Sequence, residues 1–120
     1  MNDPTPHETD PELGALEPQR AELRRSLGLQ ADRVRGLPLS RLERSVEGAP
    51  SPADAVRAAA QALADLAADA EGEPRRELPR VGTHGLGDQL AVVGADVARF
   101  GGAAALAAAQ EVLVAVRRAL

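Results

Sequence analysis

Ser51-Pro52-Ala53-Asp54-Ala55-Val56-Arg57-Ala58-Ala59-Ala60-Gln61-Ala62-Leu63-Ala64-Asp65-Leu66-Ala67-Ala68-Asp69-Ala70-Glu71-Gly72 is the stretch on which the fold turns. Ser51 offers a hydroxyl to the free N–H groups of a first helical turn. Pro52 has no N–H to leave unpaired there, and Asp54 sets negative charge at the positive end of the dipole. Val56, Ala59, Ala60, Leu63, Leu66, Ala67 and Ala70 then recur at three and four, one apolar stripe of a helix. Gly72 and Pro74 end the pattern. A helix over 52–71 follows.

Toward the carboxyl end, Glu73 to Arg80 is a charged connector with Pro74 and Pro79 and no periodicity. Beyond it, Leu86, Leu90, Val93, Val97 and Phe100 are spaced four, three, four, three, and Leu106, Leu113, Val116 and Leu120 continue past Gly101-Gly102. These predict a helical hairpin over 84–120 that turns on the two glycines. Gly87, Ala91, Ala95 and Ala98 share a face of its first arm, where a second helix could approach closely.

Toward the amino end, Glu17-Pro18 opens a short helix that carries Leu23 and Leu27 and stops at Gly28. A weaker piece with Leu29 and Val34 stops at Gly36, and Leu39, Leu42 and Val46 suggest a third between Pro38 and Val46. The expected architecture is all-α: a small helical bundle of three long helices, with two or three short N-terminal helices over 18–47 packed on it. Residues 18–120 form the single domain. Residues 1–17 combine Pro4, Pro6 and Pro11 with five acids and no Arg or Lys, which predicts a disordered acidic tail.

Composition agrees with this class. Among the apolar residues, 25 are Ala, 16 Leu and 10 Val, with one Phe and no Ile, Trp or Tyr, so helix formers dominate and strand formers are scarce. A core built largely of Ala buries little per residue, which favours association. All 14 basic residues are Arg, the codon bias of a GC-rich bacterial genome. The net charge of -4 carries no single-sign block within 18–120, so nothing biases the domain toward nucleic acid or anionic lipid. The absence of cysteine excludes disulfides and thiol chemistry. No signal-peptide pattern and no apolar run long enough for a membrane span occur, which makes the cytoplasm the expected location.

One stretch is not explained by composition. Thr83-His84-Gly85-Leu86-Gly87-Asp88-Gln89 opens a core helix with a His and an Asp four apart, on one face of the first turn, and Gln89 beside them. His84, Asp88 and Gln89 are therefore the candidate site for a partner or ligand. Their structural alternative is a helix start in which Thr83 caps, Asp88 complements the dipole and the glycines allow close packing. Gly82, Gly85 and Gly87 do not make a phosphate loop, because no strand precedes them, no Lys follows and Asp88 repels an anion. No metal-ligand set, nucleophile signature or cofactor motif is present, so none of these is expected.

Ser40-Arg41-Leu42-Glu43-Arg44, followed by Pro50-Ser51-Pro52 and the helix after it, resembles the recognition helix and next helix of Cro/repressor-type helix-turn-helix proteins. The resemblance covers about 25 residues and implies Ser40, Arg41 and Arg44 as groove-facing side chains. Upstream, the stretch from Gly28 to Ser40 is too short for the family's second helix and turn. The expected function is a non-enzymatic helical interaction or scaffold module, pairing with another protein or with itself through residues 86–120. The alternative is a DNA-binding regulator with a degenerate helix-turn-helix over 18–71.

Overall fold

The computed structural model describes residues 11–120, which form helices α1 (Pro11–Gly36), α2 (Leu39–Leu42), α3 (Pro52–Glu71), α4 (Leu86–Phe100) and α5 (Ala103–Ala119), with a 3₁₀ turn over Thr83–Gly85 before α4. The all-α expectation holds, with no strand among these residues. The expected disorder of 1–10 lies outside the described residues.

Helix α3 has the bounds its local chemistry dictates. Ser51 Oγ accepts from the Asp54 N–H at 3.1 Å, and Pro52 occupies the first turn. At the other end Gly72 takes φ 69°, and the N–H groups of Glu73 and Gly72 return to the carbonyls of Ala68 and Asp69 at 2.9 and 3.3 Å. This pair of bonds is a Schellman closure, which an L-residue at 72 would strain.

Helix α1 corrects the amino-terminal expectation. In place of two short helices that begin at residue 18, one helix of 26 residues runs from Pro11 through Pro18 and Gly28 to Gly36. Pro18 cannot bond the carbonyl four residues back, but that residue is Gly14, which is exposed, so the freed oxygen is open to solvent. Gly28 is likewise exposed with nothing near it. Its cost of about 1 kcal/mol relative to Ala is outweighed by Leu27, Ala31 and Val34, all buried on the core-facing side of the same helix. Half-buried Leu16, within the expected tail, already packs against the core. The third short piece shrinks to the single turn α2, since Gly48 at φ 79° directs the chain into a turn closed by the Ala49 N–H on the Val46 carbonyl at 2.9 Å.

The four long helices therefore share one core, instead of three carrying a fringe. Helix α4 lies between α1 and α3 and packs extensively on both, and α5 also packs on both; α4 and α5 touch each other little beyond their glycine joint. Leu90, Val93, Val97, Leu106, Leu113 and Val116, the apolar spacing of the expected hairpin, are buried inside this chain. They meet Leu23, Leu27 and Val34 of α1 and Val56 and Leu63 of α3 in one cluster. The close face of α4 is Gly87, Gly94 and Ala98, with Ala95 exposed, so the expected stripe is rotated by one residue at its centre. A Cβ at Gly94 would collide with the Leu27 side chain, and one at Gly87 would lie 3.0 Å from the Ala31 carbonyl oxygen.

Arg20 ties α1 to the end of α4, its guanidinium donating to the Ala98 carbonyl at 2.9 Å with the side chain 11% exposed. It supplies positive charge where the helix dipole is negative and satisfies a carbonyl the helix leaves free. Arg20→Met, which keeps the stem and removes the donor, should lower stability by about 1.5 to 3 kcal/mol in urea unfolding. A change below a few tenths would show that water replaces it at no cost.

The connector over 72–82 after α3 is irregular but anchored. Arg57 donates to the Val81 carbonyl at 2.7 Å, and Gln61 both donates to the Arg76 carbonyl at 3.0 Å and accepts from the Leu78 N–H at 2.9 Å. Arg75 forks onto Asp69 with contacts of 3.1 and 2.8 Å, which holds the Asp69 carboxyl below its ordinary value of 3.8. The unfolded chain then binds the proton first as pH falls, so this pair stabilises the fold above about pH 4 and its contribution is lost below. Asp69→Asn should flatten the acid side of the stability-pH curve in that window and leave the curve above pH 5 parallel to wild type.

Candidate functional site

The three residues singled out at the start of α4 point in three directions. Asp88 Oδ1 accepts from Arg35 Nε and Nη2, both at 2.8 Å, and Arg35 Nη1 reaches Asp32 at 2.9 Å. The hydrogen bond to Asp88 raises the Arg35 pKa above its ordinary value. Asp88 thus fastens α4 to the end of α1 as well as standing in the first turn of its own helix. Gln89 donates to the Pro79 carbonyl at 3.0 Å and holds the connector down beside α4. The exposed His84 ring folds back over Gly82, where a Cβ would meet its Cε1 at 2.9 Å.

Thr83 is not a helix cap. Its hydroxyl donates to the Glu43 carboxylate at 2.8 Å, which links the 3₁₀ turn to the segment after α2, and α4 begins without a side-chain cap. His84, Asp88 and Gln89 do not converge on a common point. Among the described residues no three His, Asp or Glu side chains gather closely enough to hold a metal ion.

Asp88 and Gln89 nevertheless border an apolar hollow. Leu78, Pro79 and Val81 of the connector and Val92 and Val93 of α4 enclose a shallow cleft of about 350 Å³, with Val92 64% exposed at its edge. A second cleft of similar volume shares Leu78 and Val93 and continues along α3 over Ala64, Ala67 and Ala68. Glu71, Glu73 and Asp96 edge it against the single Arg76, and none of these three acids is in an ion pair among the described residues. The trough between α3, α4 and the connector thus has an apolar floor and an acidic border.

Ser40, Arg41 and Arg44 are exposed, but only Leu39 to Leu42 are helical, and Leu42 is buried. A recognition helix places several turns in the major groove; one turn presents no such face. No helix among the described residues is long and apolar enough to cross a membrane.

The sequence reading missed Arg20, Arg57 and Gln61, whose partners lie 78, 24 and 15 to 17 residues away with no local signature. It also missed Gln30, for which a signal exists: Leu23, Leu27, Gln30 and Val34 are spaced four, three, four, so an amide stands where the stripe calls for an apolar residue. Gln30 is buried at 8% exposure.

Comparison with protein-family models, with curated proteins and with solved structures gives no match.

Proposed function

We propose that this chain is a non-enzymatic helical adaptor that docks a partner protein in the α3–α4–connector trough, and that the docked segment has an apolar face bordered by Arg or Lys. The observation that carries this reading is the exposure of Val92 beside Leu78, Pro79 and Val81, on a helix whose other large aliphatic residues are covered. With Leu78, Pro79 and Val81 beside it, Val92 belongs to a contiguous apolar patch, the kind of surface that a partner covers. Glu71, Glu73 and Asp96 supply the complementary charge, which favours a basic partner and speeds encounter at low salt. Gln89 serves this surface by holding the connector against α4, while Asp88 steadies α4 from the α1 side.

Self-association through residues 86–120 has less support, because the apolar residues that would mediate it are buried in the chain's own core. The DNA reading rests on a single helical turn.

The test is a photo-crosslinking residue at position 68 of the full chain, on the floor of the trough, with the captured segment sequenced. Val92→Glu should abolish capture without moving the melting midpoint, and capture should weaken between 50 and 500 mM salt as rim charges are screened. Asp88→Asn should reduce capture less than Val92→Glu. Capture unaffected by Val92→Glu, or a crosslinked segment that is acidic, overturns the proposal.

A further inference from the structure

The seam between α1 and α5 is left partly open, with polar side chains along its α1 edge. Helix α1 lines it with Gln19, Glu22, Ser26 and Gln30, spaced three, four and four, and therefore on one face. Two clefts result, which meet at Gln110. The larger, about 400 Å³, has an apolar wall of Pro18, Ala103, Leu106 and Ala107. The smaller, about 70 Å³, lies between Ser26, Gln30, Gln110 and Arg117 over Leu113 and Val114.

Within the smaller cleft the Gln30 amide oxygen is buried and has no hydrogen-bond partner among the described residues. A buried polar atom without a partner is costly to maintain, and such atoms in a folded protein call for a specific explanation. Rotation of the amide by half a turn presents its N–H₂ group in the same place, so the position can donate or accept. Among the described residues Arg117 is the one charged side chain that lines this cleft, and no acid pairs with it. Glu22, the acid of the larger cleft, is engaged by Arg25 at 2.9 Å.

We propose that the seam binds an amphiphile with an anionic head, specifically a medium- to long-chain carboxylate. Its alkyl chain lies along Pro18, Ala103, Leu106 and Ala107, and its carboxylate takes hydrogen bonds from Arg117 and from the Gln110 and Gln30 amides. A planar carboxylate matches the guanidinium fork, and the amides satisfy its remaining lone pairs. From Ala103 to Arg117 the helix rises about 20 Å at about 1.5 Å per residue, room for an extended chain of more than ten carbons. Each methylene that leaves water deepens affinity by up to about fourfold. This site lies apart from the α3–α4 trough, and the inference does not rest on the docking reading.

Titration calorimetry of the full chain with dodecanoate, kept below its micellar concentration, tests it. Saturable binding of one molecule per chain is expected, at least tenfold tighter for dodecanoate than for octanoate and than for dodecan-1-ol. Arg117→Gln should weaken it at least tenfold, and Ala107→Phe, an exposed position that fills the larger cleft, should abolish it. Both variants should keep the wild-type helical signal. Gln30→Leu should raise the melting midpoint in the absence of ligand and weaken binding. Unsaturable uptake, equal affinity for the alcohol, indifference to Arg117→Gln and Ala107→Phe, or binding only to anionic phospholipid vesicles would each overturn the proposal.

Discussion

Leu90→Glu is expected to give a chain with no cooperative melting transition and little helical signal at room temperature, at every protein concentration. Leu90 is fully buried among α1, α3 and α4, and Leu113 is nearly so. A carboxylate there has no cation to meet. An uncompensated buried charge costs about 3 to 5 kcal/mol or more, as large as the whole stability of a small domain with an Ala-rich core. Leu113→Glu should behave the same way. Circular dichroism alongside size-exclusion chromatography separates the outcomes: a variant that stays helical but shrinks in hydrodynamic size would show that these residues face a second copy.

The second large effect concerns the notch at Gly94. Gly94→Ala gains about 1 kcal/mol of helix propensity and meets Leu27 head on, so the overpacking cost of about 1 to 3 kcal/mol leaves the variant close to neutral or destabilised. Gly94→Val loses most of the propensity gain and adds two methyls, so it should destabilise by more than about 2 kcal/mol. Leu27→Ala alone should cost about 2 to 5 kcal/mol by leaving a cavity. The double variant Leu27→Ala with Gly94→Val should be more stable than the sum of the two by at least about 1 kcal/mol, because the valine fills the space the leucine vacates. Additive effects in urea unfolding would mean that the helices separate instead of repacking. At Gly87 truncation offers no such rescue, since one of the obstructing atoms is the Ala31 backbone carbonyl.

These sites show what local chemistry can and cannot reveal. The bounds of α3 were legible because a Ser cap, a first-turn Pro and a terminal Gly act within a few residues of one another. Helix α1 was not, since Pro18 and Gly28 look like boundaries until they are known to face water while Leu23, Leu27 and Val34 bind the helix to α4 and α5. The apolar periodicity of 86–120 was legible, but its partner was not. A heptad-like stripe fits a second copy as readily as two helices of the same chain. His84, Asp88 and Gln89 stand out in the sequence as unusual for a core helix, but the directions of Asp88 and Gln89 depend on Arg35 and Pro79, 53 and 10 residues away. The acidic trough could not be seen at all, because the connector residues that wall it have no periodicity.

The way α4 and α5 share α1 and α3, with little contact between themselves, has a consequence for how the chain is made. Two helices joined by Gly101-Gly102 would ordinarily close on each other first, the cheapest loop available. Here α4 packs instead on α3, its neighbour across the connector, and the core closes only when α1 joins α4 across sequence separations of 50 to 80 residues such as Arg35 to Asp88 and Arg20 to Ala98. Long closures of this kind slow folding relative to a bundle of nearest neighbours. At roughly 5 to 20 residues per second of synthesis, the apolar stripe of α1 waits uncovered for several seconds until α4 emerges. During that interval it is open to chaperones and to other nascent chains.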